Sequence, residues 1–169
     1  MDVIAELGQL TLDLSDLIAR NAAFSPHKPA LVFEDEVLAY RAFFDRIEAA
    51  AKALKAEFGV GRGDRVAILS LNRPDYLVLL YACARLGAMM VPLNWRLAAA
   101  EQMFILSDAG VKVLVLEQAF AGILPALEAA LPGARVVGLD FTPPAPGHGF
   151  DALLARAKGD GRDPQTDLS

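Results

Sequence analysis

The sequence predicts an α/β fold, a mostly parallel sheet with helices on both faces. Two observations predict it. Four short apolar runs, at 65–70, 88–92, 111–116 and 135–139, lack the polar alternation of a half-exposed strand, as expected of parallel strands covered on both sides. Between them lie segments of about ten to fifteen residues with helical apolar periodicity, the length that a crossover between parallel strands requires.

The elements follow in order. LDLSDLIARNAAF sets Leu14, Leu17, Ile18 and Ala22 on one helical stripe, and SPHKP ends that helix. ALVFEDEVLAY reads as two short strands around Glu34, Asp35 and Glu36, without the Asn-Gly or Asp-Gly pair typical of a tight hairpin. From Arg41 to Phe58, Phe43, Phe44, Ile47, Ala50, Ala51, Leu54 and Phe58 keep the 3.6-residue period, and Glu48 with Lys52 adds an i,i+4 pair. GVGRGDR is a glycine-rich turn before the run RVAILSLN. Asn72 is a cap candidate, Pro74 suits a first helical turn, and Gly87 closes the helix that follows.

AMMVPL is the second buried strand and ends near Pro92. AAAEQMFILSDAG is a crossover helix stopped at Gly110, and VKVLVLE is the third strand. Phe120, Ile123, Leu124, Leu127 and Leu131 form another helical stripe before the strand ARVVGLD. In TPPAPGHG the prolines and glycines mark a linker. The expected division is therefore a unit over 1–140 and a Pro/Gly-rich linker with a loose tail over 141–169, in which DALLARAKG forms between one and three helical turns.

The 169 residues carry a net charge of -5 and no long Lys/Arg cluster, which argues against a nucleic-acid partner. A single cysteine, Cys83, cannot close an internal disulfide and reads as a small core residue. Residues 1–20 intersperse Asp2, Glu6, Asp13 and Asp16 among leucines, unlike a signal peptide. YLVLLYACA is half the length that a membrane helix needs, so a cytoplasmic, soluble protein without a transmembrane segment is expected.

The usual chemical motifs are missing. Gly59, Gly61 and Gly63 precede a strand, whereas a phosphate loop follows one and opens a helix. Arg62-Gly63-Asp64 spells an adhesion tripeptide by coincidence. His27 and His148 lie far apart with no metal-ligand spacing around either, and no serine sits in a G-x-S-x-G elbow. Glu34, Asp35 and Glu36 read as a solvated turn. No catalytic, cofactor-binding or metal-binding residue is assigned.

GAMMVPLNWRLAAAEQMFILSDAGVKVLV carries the pattern that matters most. It resembles the N-terminal part of the adenylate-forming ligases, in particular the acyl-CoA synthetase (fatty-acid–CoA ligase) branch, in which a strand ends in Val-Pro-Leu-Asn-x-Arg before a helix. YRAFFDRIEAAAKAL and GVGRGDRVAILSLNRPDYLVLLYACARLGA resemble the family's preceding helix, strand and apolar helix, so the likeness runs over roughly residues 12–140.

The resemblance implies an N-terminal subdomain of a larger enzyme. That enzyme uses ATP and Mg²⁺ to turn a carboxylic acid, fatty or otherwise aliphatic, into an acyl-adenylate and then transfers the acyl group to the thiol of CoA. It also implies that the phosphate loop lies beyond Ser169, so the chain alone is expected to be inactive. Asn72, Asn94 and Arg96 match motif positions and are expected to brace the strand-to-helix crossings. With Pro74, Gly87, Pro92 and Gly110 they form the structural motif set. Where the family places Thr or Ser caps, this chain has Ala39 and Ala98, each missing cap costing about 1 kcal/mol. A subdomain severed from its larger domain is expected to expose an apolar patch and to self-associate through it. A stand-alone nucleotide-binding or interaction module is the alternative.

Overall fold

The computed structural model describes residues 14–157. The expectations for the segment before Leu14 and for the tail after Ala157 fall outside them.

A parallel sheet of five strands forms the centre: β3 (Arg65–Leu69), β4 (Met89–Pro92), β5 (Val113–Leu116), β6 (Arg135–Gly138) and β7 (His148–Gly149), in the order β4-β3-β5-β6-β7. Every neighbouring pair is parallel. Because successive side chains of a strand point to opposite faces, each apolar run feeds two cores. Val66 and Ile68 of β3, with Val113 and Val115 of β5, enter one core, while Ala67, Leu69, Leu114 and Leu116 enter the other. All eight are fully buried, which is why these runs show no polar alternation.

The first face is covered by α1 (Leu14–Phe24), α2 (Tyr40–Phe58), α3 (Pro74–Arg85) and α6 (Phe150–Ala157). The second carries α4 (Ala99–Asp108), a 3₁₀ turn (Gln118–Ile123) and α5 (Leu124–Ala130). Apart from them stands an antiparallel hairpin of β1 (Pro29–Phe33) and β2 (Glu36–Ala39), whose two-residue turn begins at Glu34 with φ of 51°. Among the described residues no helix is long and apolar enough to cross a membrane.

α2 needs no cap to hold its place. Ala39 offers its amides no side-chain acceptor, but Phe43, Ile47, Ala50 and Leu54 bury one face completely or nearly so, and that burial outweighs a missing cap of about 1 kcal/mol. Its far end is closed by Gly59 at φ 62°, with the Gly59 amide donating to the Lys55 carbonyl at 2.9 Å and the Val60 amide to Leu54 at 3.2 Å. Ala98 likewise lacks an acceptor. Glu101 supplies half of a capping box by accepting the Ala98 amide at 2.8 Å.

Three features differ from the sequence reading. The expected stripe of α1 is split: Ile18 and Ala22 are buried with Ser15, whereas Leu14 and Leu17 face outward. The cause is a polar contact on the inner face, where the buried Arg85 donates to Ser15 Oγ at 3.3 Å and to Glu48 at 2.8 Å, turning the helix toward its serine. The stripe from Phe120 to Leu131, read as helical, divides between the 3₁₀ turn (Gln118–Ile123) and α5, with Pro125 in the first turn of α5. The segment after 141, read as a linker, packs against the body from His148 onward. β7 pairs with Val137 and Gly138, and Phe150, Leu153, Leu154 and Ala157 of α6 are buried in the first core.

At the amino-terminal edge of the sheet Asp64 accepts from Lys112 Nζ at 2.9 Å and from the Gly61 amide at 2.9 Å. The lysine hydrogen bond, followed by the Gly61 amide, holds the Asp64 carboxyl below the usual carboxylate range. A lowered carboxyl stabilises the fold above its unfolded-state value and loses that contribution as pH falls through the folded value. The Asp64→Asn variant is therefore expected to melt below the parent at neutral pH, with the gap closing below about pH 4. Paired thermal melts across pH check this. A second expectation concerns Cys83, buried between α3 and the sheet with its thiol pushed up to about 12 by desolvation. It should resist iodoacetamide in the native chain and react once denaturant unfolds it.

Candidate functional site

The strand order places the second strand outside the first and the third on its other side, the arrangement of a doubly wound sheet. Ligands of such sheets bind beyond the carboxyl ends of the strands where the connections diverge. Here that point lies between β3 and β5: the chain leaving β3 enters α3 on one face, and the chain leaving β5 enters the 3₁₀ turn on the other.

Two backbone donors at this edge, the Leu71 and Gln118 amides, are taken by the protein's own carboxylates. Glu117, directly after β5, accepts the Leu71 amide beyond β3 at 2.7 Å. Asp140, just beyond β6, accepts the Gln118 amide after β5 at 2.8 Å. Each loop is thus tied to the end of the next strand in the sheet. Arg73 joins the set, with Nε 2.9 Å from Asp75 Oδ2 and Nη1 3.7 Å from Asp140 Oδ2. The other oxygen of the nearly buried Asp75 pairs with Arg46 of α2 at 2.5 Å. A phosphate would meet two carboxylates here, and its repulsion from them makes this edge a poor nucleotide site as it stands.

The residues singled out in the sequence fall into three places. Asn72 is exposed after β3. It does not cap α3, because Arg73 occupies the cap position with extended backbone and no side-chain cap bond, and Pro74 begins the helix. Pro92 ends β4, and the turn after it is built by Asn94, whose Oδ1 accepts the Arg96 amide at 3.0 Å while its carbonyl accepts the Leu97 amide at 3.1 Å. Arg96 lies over the Trp95 ring at 4.2 Å, and Trp95 sits 6.3 Å from the Phe120 ring, so the turn displays a stacked cation and two aromatics at the carboxyl edge. Gly87 and Gly110 lie on the opposite, amino-terminal side. At Gly110, with φ 59°, a Cβ would meet Arg65 Nη2 at 2.7 Å, and the Arg65 side chain donates to the carbonyls of Ala109 and Gly110.

Sequence reading missed Glu117, Asp140 and Gln102. The two acids share one recognisable feature, a carboxylate within two residues of the end of a strand. Gln102 is a lone amide in an apolar helix. It is buried and donates to the carbonyls of Asn94 at 3.4 Å and Leu97 at 3.2 Å, so it fixes the Trp95–Arg96 turn from beneath. Among the described residues no three His, Cys, Asp or Glu side chains converge as metal ligands. The glycines 59, 61 and 63 lie at the amino-terminal edge, on the far side of the sheet from the crevice, and do not fit a phosphate cradle.

Comparison with known proteins places these features. The profile of the AMP-binding enzyme family matches residues 18–165. Over 156 residues the chain is 41% identical to the indoleacetate–CoA ligase of Aromatoleum aromaticum, covering 91% of this chain and 30% of that protein. It is 38% identical over 112 residues to the fatty acid–[acyl-carrier-protein] ligase ScoC of Streptomyces coeruleorubidus, covering 66% of this chain and 21% of that one. The crystal structure of the N-terminal domain of FACL13 from Mycobacterium tuberculosis superposes with a TM-score of 0.77 at 31% identity, over 89% of this chain and 37% of that one. The chain thus spans less than a third of the length of these two ligases. Both hydrophobic layers and the strand order lie within the matched residues, and the chain belongs to the AMP-binding enzyme family.

Proposed function

We propose that this chain is the N-terminal scaffold of an AMP-forming acid–thiol ligase. The whole enzyme activates a carboxylic acid with ATP through an acyl-adenylate and passes the acyl group to CoA in the cytoplasm. The observation that carries the reading is the family match across residues 18–165, supported by relatives named as ligases of indoleacetate and of fatty acids.

In this reading the segment contributes architecture and the chemistry resides elsewhere in the enzyme. The Leu71 amide after β3 and the Gln118 amide after β5 are already held by Glu117 and Asp140, and the glycine turn is on the wrong edge to lie over a phosphate. Adenylation depends on preorganised donors aimed at a developing charge, and residues already bonded to carboxylates cannot supply them. The relative named as a fatty-acid ligase favours an aliphatic acid, and the indoleacetate ligase sets an aromatic acid beside it as the competing substrate.

Two assays test this. Isothermal titration of the 169-residue chain with Mg-ATP should show binding weaker than about millimolar, that is, less favourable than about -4 kcal/mol. Pyrophosphate release, measured with a panel of aliphatic and aromatic acids, should be absent for the chain. It should appear, dependent on the acid, for the protein made from the full open reading frame that contains it. Micromolar ATP binding by the chain, or a full-length protein inert to every acid, would contradict the proposal.

A further inference from the structure

The β1–β2 hairpin is an antiparallel pair joined to no other strand among the described residues, and two strands alone are marginal unless a layer packs on them. Next to the turn its ladder is regular, with Leu31 opposite Leu38, Val32 opposite Val37 and Phe33 opposite Glu36. Leu31 and Leu38 pack against the first core, which places Val32 and Val37 together on the other face. That outer face is open, the two valines being 69% and 60% exposed.

A hairpin with one face on a core and the other in water alternates apolar with polar residues. Here the alternation fails, because ALVF in β1 and VLA in β2 put apolar side chains on both faces. The same composition accompanies two-sided burial in β3 and β5. A directly opposed pair of β-branched residues stabilises a sheet by packing, and water gives Val32 and Val37 nothing further to pack against. Val32 also lines a groove of about 360 Å³ between β1 and the start of α3, with Leu31, Phe33, Pro74, Tyr76 and Leu77 among its walls. The exposed pair therefore runs on into apolar space between two elements.

The superposed N-terminal domain of FACL13 is matched over 37% of its length by 89% of this chain, so most of a domain of this kind lies outside these 169 residues. We propose that the Val32–Val37 face and the adjoining groove are the surface on which that remaining part of the same polypeptide docks. The occupant is an apolar segment laid over the two valines, with a side chain in the groove. The inference rests on the reading of this chain as the N-terminal scaffold of a longer enzyme.

Thiol labelling tests it without recourse to activity. Val32→Cys and Val37→Cys are made singly in the 169-residue chain and in the protein from the full open reading frame, treated with iodoacetamide and followed peptide by peptide. Both cysteines should react freely in the chain and about tenfold more slowly, or slower still, in the full-length protein. Hydrogen exchange of the unsubstituted proteins should show the same contrast at the amides of Leu31, Val32 and Phe33, which keeps the test decisive if a variant fails to fold. Equal labelling and equal exchange in the two proteins overturn the proposal. So does labelling of the isolated chain that slows as its concentration rises, because a second copy then covers the face. A full-length protein that shields both positions but is inert to every acid keeps the docking surface and loses the ligase reading.

Discussion

Everything in this molecule depends on β3 and β5 being buried on both faces at once. Two adjacent parallel strands supply alternate side chains to two cores, so neither layer of helices can be removed without exposing half of the same strands. The eight inward residues, at about 1.5–3 kcal/mol for each fully buried large aliphatic side chain and less for Ala67, are the largest local source of stability. Because parallel strands need crossovers, the same constraint requires α3 and α4, and through them fixes where the loops at the carboxyl edge emerge.

Polar groups then set the details that burial leaves free. Arg85 beneath α1, Asp75 between Arg46 and Arg73, and Lys112 with Asp64 tie elements distant in sequence. At the carboxyl edge, Glu117 and Asp140 repeat one device on successive strands, a carboxylate taking the amide of the neighbouring loop. This stiffens the edge and surrounds it with negative charge that repels an anion.

The main architecture was legible because doubly buried strands must be written as unbroken apolar runs, as RVAIL and VLVL are. The hairpin was legible from its acidic turn. β7 was not: two residues, His148 and Gly149, carry no periodic signal, and the prolines before them read as a linker. Its place comes from Phe150, Leu153 and Leu154, whose helical spacing was visible but whose target, the first core next to α2, was not. The carboxylate ties were illegible for a related reason. They depend on β3, β5 and β6 being neighbours, which is a property of strand order and not of local sequence. Gln102 shows the limit most plainly, since an amide in an apolar helix gives no sign of the two carbonyls it holds.

Native-state hydrogen exchange with residue resolution tests the central constraint most directly. If two-sided burial of β3 and β5 holds the molecule together, the amides of Val66–Leu69 and Val113–Leu116 exchange only through global unfolding, with one common free energy. Those of the hairpin and of Phe150–Ala157 open earlier, through local fluctuations. Exchange of β3 or β5 through a partial opening, at a lower free energy than the hairpin, would contradict the account.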